Sequence, residues 1–123
     1  MTPGPVLERN EGELPIFVKW IDFLKWLHFK SEKFPKKVRF TFSNRMNNLA
    51  LDIIENLIEA RYSRSKLRPL KQANLSLEKL RILFRIAYES KFISYDTYEF
   101  GVKKLNEVGR MLGGWIKSSD KNA

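Results

Sequence analysis

The chain has 123 residues, the length of one domain, and 43% of them are hydrophobic, which excludes a wholly disordered chain. Its 23 lysines and arginines outnumber its 14 acidic residues, and the net charge of +9 predicts a polyanionic partner such as RNA or DNA. It contains no cysteine, no apolar run of the roughly 20 residues that cross a membrane and no signal-peptide pattern, so we expect a soluble cytoplasmic protein without disulfides or a membrane partner.

The first predicted elements are a loose tail over residues 1–12 and a helix that begins near Pro15, since proline is well tolerated in a first helical turn. Apolar side chains and one histidine recur on this helix at helical spacing and predict its buried face. They are Phe17, Trp20, Ile21, Leu24, Leu27 and His28. The motif FPKK, residues 34–37, predicts a break because the residue before a proline leaves helical geometry, and a second helix then runs to about Tyr62.

A third predicted helix follows a polar segment, residues 63–74, which contains Pro69 and therefore predicts a long connection. Asn74 or Ser76 can accept hydrogen bonds from the free amides of a first turn, so either residue is a candidate cap. The apolar positions of this helix follow helical spacing and predict burial. They are Leu77, Leu80, Phe84 and Ala87.

A turn over residues 91–96 leads into a fourth predicted helix, which ends near Ile116. No segment alternates apolar and polar residues with the period of a strand, so the fold is predicted to be all-α. Four long helices with short links favour an up-down antiparallel four-helix bundle over residues 13–118, followed by a C-terminal tail over 119–123. The apolar faces are wider than one bundle needs, which predicts self-association into a homo-oligomer.

Three glycines interrupt the fourth helix in the segment NEVGRMLGGWI, residues 106–116, although each costs roughly 0.5–1 kcal/mol relative to alanine in a helix interior. Gly109 and Gly113 are four residues apart and share one face, so they predict a tight helix crossing within the bundle or between subunits. Trp115 lies off this face, where its bulk can fill a neighbouring groove. The alternative is a helix that frays at Gly113 and Gly114 and ends there, and the spacing does not decide between the two.

The same segment strongly resembles the fourth helix of a four-helix-bundle family. That family includes the accessory variability determinant (Avd) of diversity-generating retroelements and proteins encoded in intervening sequences of bacterial large-subunit ribosomal RNA genes. The resemblance extends from the first helix to Ile116, and EVGR (107–110) and LGGW (112–115) carry it, with support from FPKK, EKLRILFRIAYES and ISYDTYE. It implies protomers that assemble into a pentameric barrel. On the retroelement branch it implies binding to the reverse transcriptase and its RNA template, in support of mutagenic cDNA synthesis; on the ribosomal branch it implies a structural or interaction role.

Positive charge is concentrated in two segments. Residues 61–91 hold nine cations against two acids, and residues 25–45 hold seven against one, so the cations surround two connections that lie at opposite ends of an up-down bundle. Several cations on one surface neutralise phosphates and give salt-dependent binding, although a solvated surface is the alternative. The resemblance adds Arg81 and Arg85, which match an LRxxxR pattern. The predicted nucleic-acid or partner site comprises Arg61, Arg64, Lys66, Arg68, Lys71, Lys79, Arg81 and Arg85.

A second set of residues is assigned to helix packing or oligomerisation. It comprises Gly109, Arg110, Gly113, Gly114 and Trp115. Within it, Arg110 is expected to pair with Glu107 or with an acid of another subunit rather than to bind a ligand. The acidic residues of the segment 46–60 follow helical spacing and are Asp52, Glu55 and Glu59. Magnesium binding by these carboxylates is conceivable. Contact with a basic face of a neighbouring subunit or of the reverse transcriptase is the simpler interpretation.

No catalytic residue, cofactor or metal site is predicted. His28 is the only histidine, there is no cysteine, and no glycine-rich phosphate loop follows a strand. The chain has nine phenylalanines, four tyrosines and three tryptophans, whose rings could stack on the bases of a single strand. The aromatic residues at helical spacing are better explained as residues of the hydrophobic core. The expected partners are therefore a reverse transcriptase, RNA or DNA, and further copies of this chain.

Overall fold

The structure is a computed structural model that describes residues 14–121, so the predicted tail over residues 1–12 lies outside the described part. Helix α1 spans Pro15–Ser31 and begins at the predicted proline. Its buried face includes Trp20, whose indole nitrogen donates to the Ala50 carbonyl oxygen at 2.9 Å. The predicted face was wrong at His28, which is exposed, and the buried face also includes Phe23, which lies beside the predicted positions.

The predicted break is confirmed: a 3₁₀ turn over Lys36–Val38 and a π-helical segment over Arg39–Ser43 separate α1 from α2, which spans Asn44–Tyr62. Two polar contacts fasten the two helices across this break. The Ser43 hydroxyl donates to the Ser31 carbonyl oxygen at 2.9 Å, and the Asn47 amide donates to the Ser31 hydroxyl at 2.8 Å. These buried polar groups are thereby satisfied.

Helix α3 spans Leu67–Glu89, so the predicted long connection over residues 63–74 was wrong. The connection is only residues 63–66, and Asn74 and Ser76 lie inside the helix rather than at its start. The reason is that Pro69 occupies the first turn, where the backbone N–H that proline lacks would have no intrahelical partner. The predicted core positions of α3 are confirmed as buried: Leu77, Leu80, Phe84 and Ala87.

Helix α4 spans Tyr95–Lys121 and runs without interruption through Gly113 and Gly114. The alternative of a helix that ends at these glycines is therefore wrong. The predicted end near Ile116 was also too early, since α4 includes residues 119–121, which the sequence assigned to a C-terminal tail. Residues 90–94 connect α3 to α4 and contain Lys91, which adopts a positive φ of 66°.

The four helices form an antiparallel bundle in which each packs against the next and α1 closes on α4. Pairs of contacts in opposite chain order establish the directions. Across α3 and α4, Phe84 lies beside Gly101 and Leu77 beside Gly109. Across α1 and α4, Lys19 contacts Glu107 and Trp26 contacts Phe100. The prediction of an all-helical bundle is confirmed for residues 14–121, which contain no strand. No helix in this part of the chain is long and apolar enough to cross a membrane.

The close approach of α3 to α4 occurs at Gly101 and Gly109. A Cβ atom at Gly101 would lie 2.7 Å from the buried Phe84 ring, and one at Gly109 would lie 2.6 Å from the Arg81 guanidinium. At Gly113 and Gly114 a Cβ atom would meet nothing within 4 Å. Within the protomer, the tight crossing therefore involves residues 101–109 of α4 and excludes the glycine pair.

Candidate nucleic-acid interface

The two connections that the basic segments surround lie at opposite ends of the bundle, as predicted, and the segment over residues 61–91 also follows α3 from one end to the other. The α2–α3 end contains the connection over residues 63–66, the start of α1 and the end of α4. The α1–α2 end contains residues 32–43 together with the α3–α4 connection, where the Phe92 ring packs against the rings of Phe34 and Phe42. The α2–α3 end is therefore built from three chain segments and the α1–α2 end from two.

A cleft of about 510 Å³ opens at the α2–α3 end between the 63–66 connection and α4. Its walls include Arg64, Arg68 and Lys66 on one side and Trp115 on the other. Arg64 is exposed and forms no side-chain ion pair or hydrogen bond among the described residues. The Arg68 guanidinium contacts the Glu59 carboxylate at 2.5 Å in an exposed pair. Exposed ion pairs are weak, so this arginine can exchange its carboxylate for a phosphate.

Lys66 has a structural role at the end of α2. Its ammonium group donates to the carbonyl oxygens of Ala60 at 2.7 Å, Arg61 at 3.2 Å and Ser63 at 2.9 Å. A lysine has three N–H donors, so these bonds use all of them. The positive charge also lies at the negative end of the α2 dipole. Lys66 therefore caps α2 and offers no donor to a ligand in this arrangement.

Arg61 lies between two aromatic rings at the same end. Its guanidinium carbon is 5.7 Å from the centre of the Phe17 ring and 5.8 Å from that of the Tyr62 ring. Cation–π contacts of this kind hold the side chain in place. The rings of α1 and α2 therefore position Arg61 at this end of the bundle.

Four cations of α3 fall into three groups according to the contacts that their side chains make. Lys71 and Lys79 are exposed and have no polar partner in the described part of the chain. Arg85 is exposed and pairs with Glu89 one turn later, at 3.1 Å. Arg81 contacts Glu78 and donates to the Asn106 side chain at 3.0 Å, which bridges α3 to α4.

Arg81 therefore differs from Arg85, although the two residues are one helical turn apart. The Arg81 side chain is only 28% exposed, and its burial lowers the pKa of the guanidinium. It also donates a long hydrogen bond, 3.5 Å, to the Leu105 carbonyl oxygen. The two arginines from the family pattern thus lie in different environments, and only Arg85 presents its side chain freely to solvent.

The Arg110 side chain is exposed and forms no close ion pair with Glu107 within the protomer. Glu107 instead contacts the Lys19 ammonium at 2.9 Å and Lys104 at 3.8 Å. The hydrogen bond from Lys19 lowers the pKa of the Glu107 carboxyl, and the charges of Lys19, Lys104 and Arg110 add to this effect. The other expectation for Arg110, an acid of a second subunit, stays a prediction.

The α1–α2 end contains aromatic residues that sequence reasoning missed. Phe40 is 87% exposed and Phe29 is 56% exposed, and lysines and arginines surround both in the sequence. The signal was the spacing of Phe40 behind Lys36, Lys37 and Arg39, in a segment that breaks helical periodicity. Across residues 14–121, no three acidic or histidine side chains come together as metal ligands.

Comparison with known families identifies a matching family model. A model described as bAvd-like matches residues 16–119, which is most of the chain and all four helices of the bundle. No curated protein matches the sequence. The family match confirms the resemblance inferred from EVGR and LGGW.

Proposed function

The chain belongs to the bAvd-like family, and on this premise we propose that it is a non-catalytic accessory protein of a diversity-generating retroelement. In this role it binds template RNA or its cDNA and docks the reverse transcriptase. The observation that carries the proposal is a set of exposed cations without acidic partners in the described structure, namely Arg64, Lys71 and Lys79. Cations that no carboxylate neutralises are available to phosphates.

Binding through these residues requires no base-specific contact. The three free cations contact phosphates directly, while Arg68 and Arg85 exchange Glu59 and Glu89 for phosphate oxygens. Lys66 and Arg81 support the surface from inside by capping α2 and joining α3 to α4. Such an interface tolerates many sequences and weakens steeply with salt, which suits a protein that accompanies a long template.

Self-association is part of the same proposal. Exposed apolar side chains follow helical spacing on two helices, with Leu51 and Ile58 on α2 and Leu75, Ile82 and Ile86 on α3. Apolar stripes of this kind favour contact with another copy of the chain. A closed ring with an odd number of subunits needs two different faces that meet head to tail, and it repeats each basic surface around its axis. Repetition raises the effective affinity for one long polyanion.

The row of acidic residues on α2 is the candidate docking surface for the reverse transcriptase. Asp52 and Glu55 are exposed on α2, and residues 46–60 contain no cation. A basic surface of the polymerase, or of a neighbouring subunit, complements this row. Nucleic acid and protein partners then use surfaces of opposite charge on one protomer.

The proposal is tested by RNA binding over a range of salt concentrations and by co-purification with the reverse transcriptase of the same element. We expect Arg64→Ala/Lys71→Ala/Lys79→Ala to weaken RNA binding by about tenfold or more and to reduce the slope of log affinity against log salt by about 2 to 3. The matched control is Lys25→Ala/Lys103→Ala/Lys117→Ala, which removes the same charge from exposed positions of α1 and α4.

Two results would contradict the proposal. Equal losses in the two triple variants would show that net charge, rather than this surface, drives binding. A wild-type protein that binds neither RNA nor the reverse transcriptase would leave the structural or interaction role of the ribosomal branch as the better explanation.

A further inference from the structure

Phe40 is the most exposed large apolar residue in the described part of the chain, at 87%. Its exposure is built into the fold, because it lies in the π-helical segment between α1 and α2. Two residues later, Phe42 turns inward against Phe92 with ring centres 5.2 Å apart. Short π-helical segments occur frequently at functional sites.

Side-chain hydrogen bonds from the two residues that flank Phe40 hold the backbone of this segment in place. The Arg39 side chain donates to the Phe34 carbonyl oxygen at 3.0 Å, and the Thr41 hydroxyl donates to the Val38 carbonyl oxygen at 3.2 Å. Phe34 itself is buried. The segment therefore holds the Phe40 ring outward on a fixed base.

A second exposed ring and many cations lie in the same part of the chain. Phe29 is 56% exposed, and the Lys33 ammonium is 4.6 Å from the centre of its ring. Between residues 29 and 45 the only acid is Glu32, which lies 3.7 Å from His28. The cations of this segment are Lys30, Lys33, Lys36, Lys37, Arg39 and Arg45.

We propose that the α1–α2 end is a stacking platform for single-stranded nucleic acid, with a base on the Phe40 ring and the flanking phosphates on Lys36, Lys37 and Arg45. Proteins that bind single strands combine a basic surface with aromatic side chains on which bases stack. This inference rests on the proposed function and adds the strand state that this surface selects. A duplex keeps its bases stacked inside and offers the ring no base face.

Charge complementarity favours this occupant over the same end of a second copy, and the oligomeric state of the variants tests a head-to-tail contact with another face. Two α1–α2 ends that met would bring two cation-rich surfaces together, and like charges in contact oppose association. A single strand supplies both an apolar base face for Phe40 and negative charge for the lysines. The same chemistry is offered by RNA and by single-stranded DNA, so the experiment includes both.

The test measures binding of fluorescently labelled single-stranded RNA, single-stranded DNA and a duplex of the same sequence to the full chain. We expect Phe40→Ala and Phe40→Leu to weaken binding of one or both single strands by roughly tenfold, and Phe40→Trp to retain it. Duplex binding and the salt dependence should stay unchanged, because no charge is removed. The matched control is Tyr62→Ala, which removes an 80% exposed ring at the α2–α3 end. Because this ring contacts Arg61, any effect of Tyr62→Ala through that arginine should weaken duplex and single-strand binding alike.

Several outcomes would overturn the inference. If Phe40→Leu binds single strands as wild type does, apolar contact rather than stacking is involved. If Tyr62→Ala and Phe40→Ala have equal effects, the platform is not localised. If Phe40→Ala leaves strand binding intact but abolishes binding to phosphatidylserine vesicles or splits an oligomer on gel filtration, the surface serves a membrane or another copy.

The inference and the proposed function fail in different ways. A wild-type protein that binds no oligonucleotide overturns both. The platform alone is overturned if two results occur together. In that case Arg64→Ala/Lys71→Ala/Lys79→Ala loses RNA binding, whereas Phe40→Leu keeps the single-strand affinity of the wild-type protein. Since Phe40 contributes little to the core, thermal unfolding of its variants should match wild type and exclude misfolding as the cause.

Discussion

The two ends of the bundle are both basic, but they use their cations differently. At the α2–α3 end, Lys66 caps a helix, Arg68 contacts Glu59, and Arg61 lies over two rings, which leaves Arg64 as the free cation of the connection. At the α1–α2 end, the chain segment over residues 29–45, which contains the exposed Phe40, has six cations and a single acid. The count of charges is therefore a poor guide to binding unless the partners of each cation are known.

The largest effect on stability that distinguishes the two ends is expected at Lys66. Lys66→Met leaves three carbonyl oxygens at the end of α2 without their charged donor and removes a favourable dipole contact, so the free energy of unfolding should fall by about 2 kcal/mol. Lys36→Met is the matched control at the α1–α2 end, where an exposed lysine should change stability by no more than about 0.5 kcal/mol.

Urea unfolding of the two variants gives the comparison directly. Similar losses would mean that Lys36 also has a structural partner. If Lys66→Met weakened RNA binding while its stability stayed at the wild-type value, Lys66 would belong to the ligand surface after all.

The helical core could be predicted from the sequence because burial on a helix follows local spacing. Leu77, Leu80 and Phe84 on α3 are buried as their periodicity indicates. The start of α3 could not be read in the same way, because Pro69 looks like a breaker in a polar segment although a first turn accepts it. Local pattern thus predicts which face is buried more reliably than where a helix begins.

The site could be predicted only in part, because the role of a cation depends on residues from other elements. Arg81 and Arg85 have the same local pattern, yet Asn106 and the α4 backbone hold Arg81 alone. The exposure of Phe40 depends on a π-helical segment, whose irregular register has no periodic signature. Charge density indicated where to look, and three-dimensional contacts decided which side chains are free.

The glycines of α4 should respond with opposite signs at the two ends of the bundle. Gly101, toward the α1–α2 end, cannot accept a methyl group without moving the buried Phe84 ring, so Gly101→Ala should destabilise the protein by about 1–2 kcal/mol. Gly113, toward the α2–α3 end, has open space around it, so Gly113→Ala should stabilise the helix by about 0.5–1 kcal/mol. Thermal unfolding at matched protein concentration measures both changes.

A destabilised Gly113→Ala would carry a specific meaning. Since nothing in the protomer lies within 4 Å of a Cβ atom at that position, the clash would have to come from a second copy. Unfolding that depends on protein concentration would then place the glycine pair in a subunit contact. A stabilised variant with unchanged oligomeric state would instead assign the pair to the surface of α4.

The smallest effect on stability is expected in the middle of the bundle, where Glu107 forms ion pairs with Lys19 of α1 and Lys104 of α4. Because Lys19 lowers the pKa of Glu107, the ionised carboxylate stabilises the fold; this contribution is complete above the ordinary value of 4.5 and is lost as pH falls through the lowered pKa. Glu107→Gln should therefore be slightly less stable than wild type at pH 7, and the difference should shrink toward pH 3. Urea unfolding at both pH values measures it, with the exposed Glu99→Gln as control. If the difference in the free energy of unfolding between Glu107→Gln and wild type were the same at pH 3 as at pH 7, Glu107 would act through packing rather than charge. The ion pairs of Glu107 would then not distinguish the middle of the bundle from its α1–α2 end.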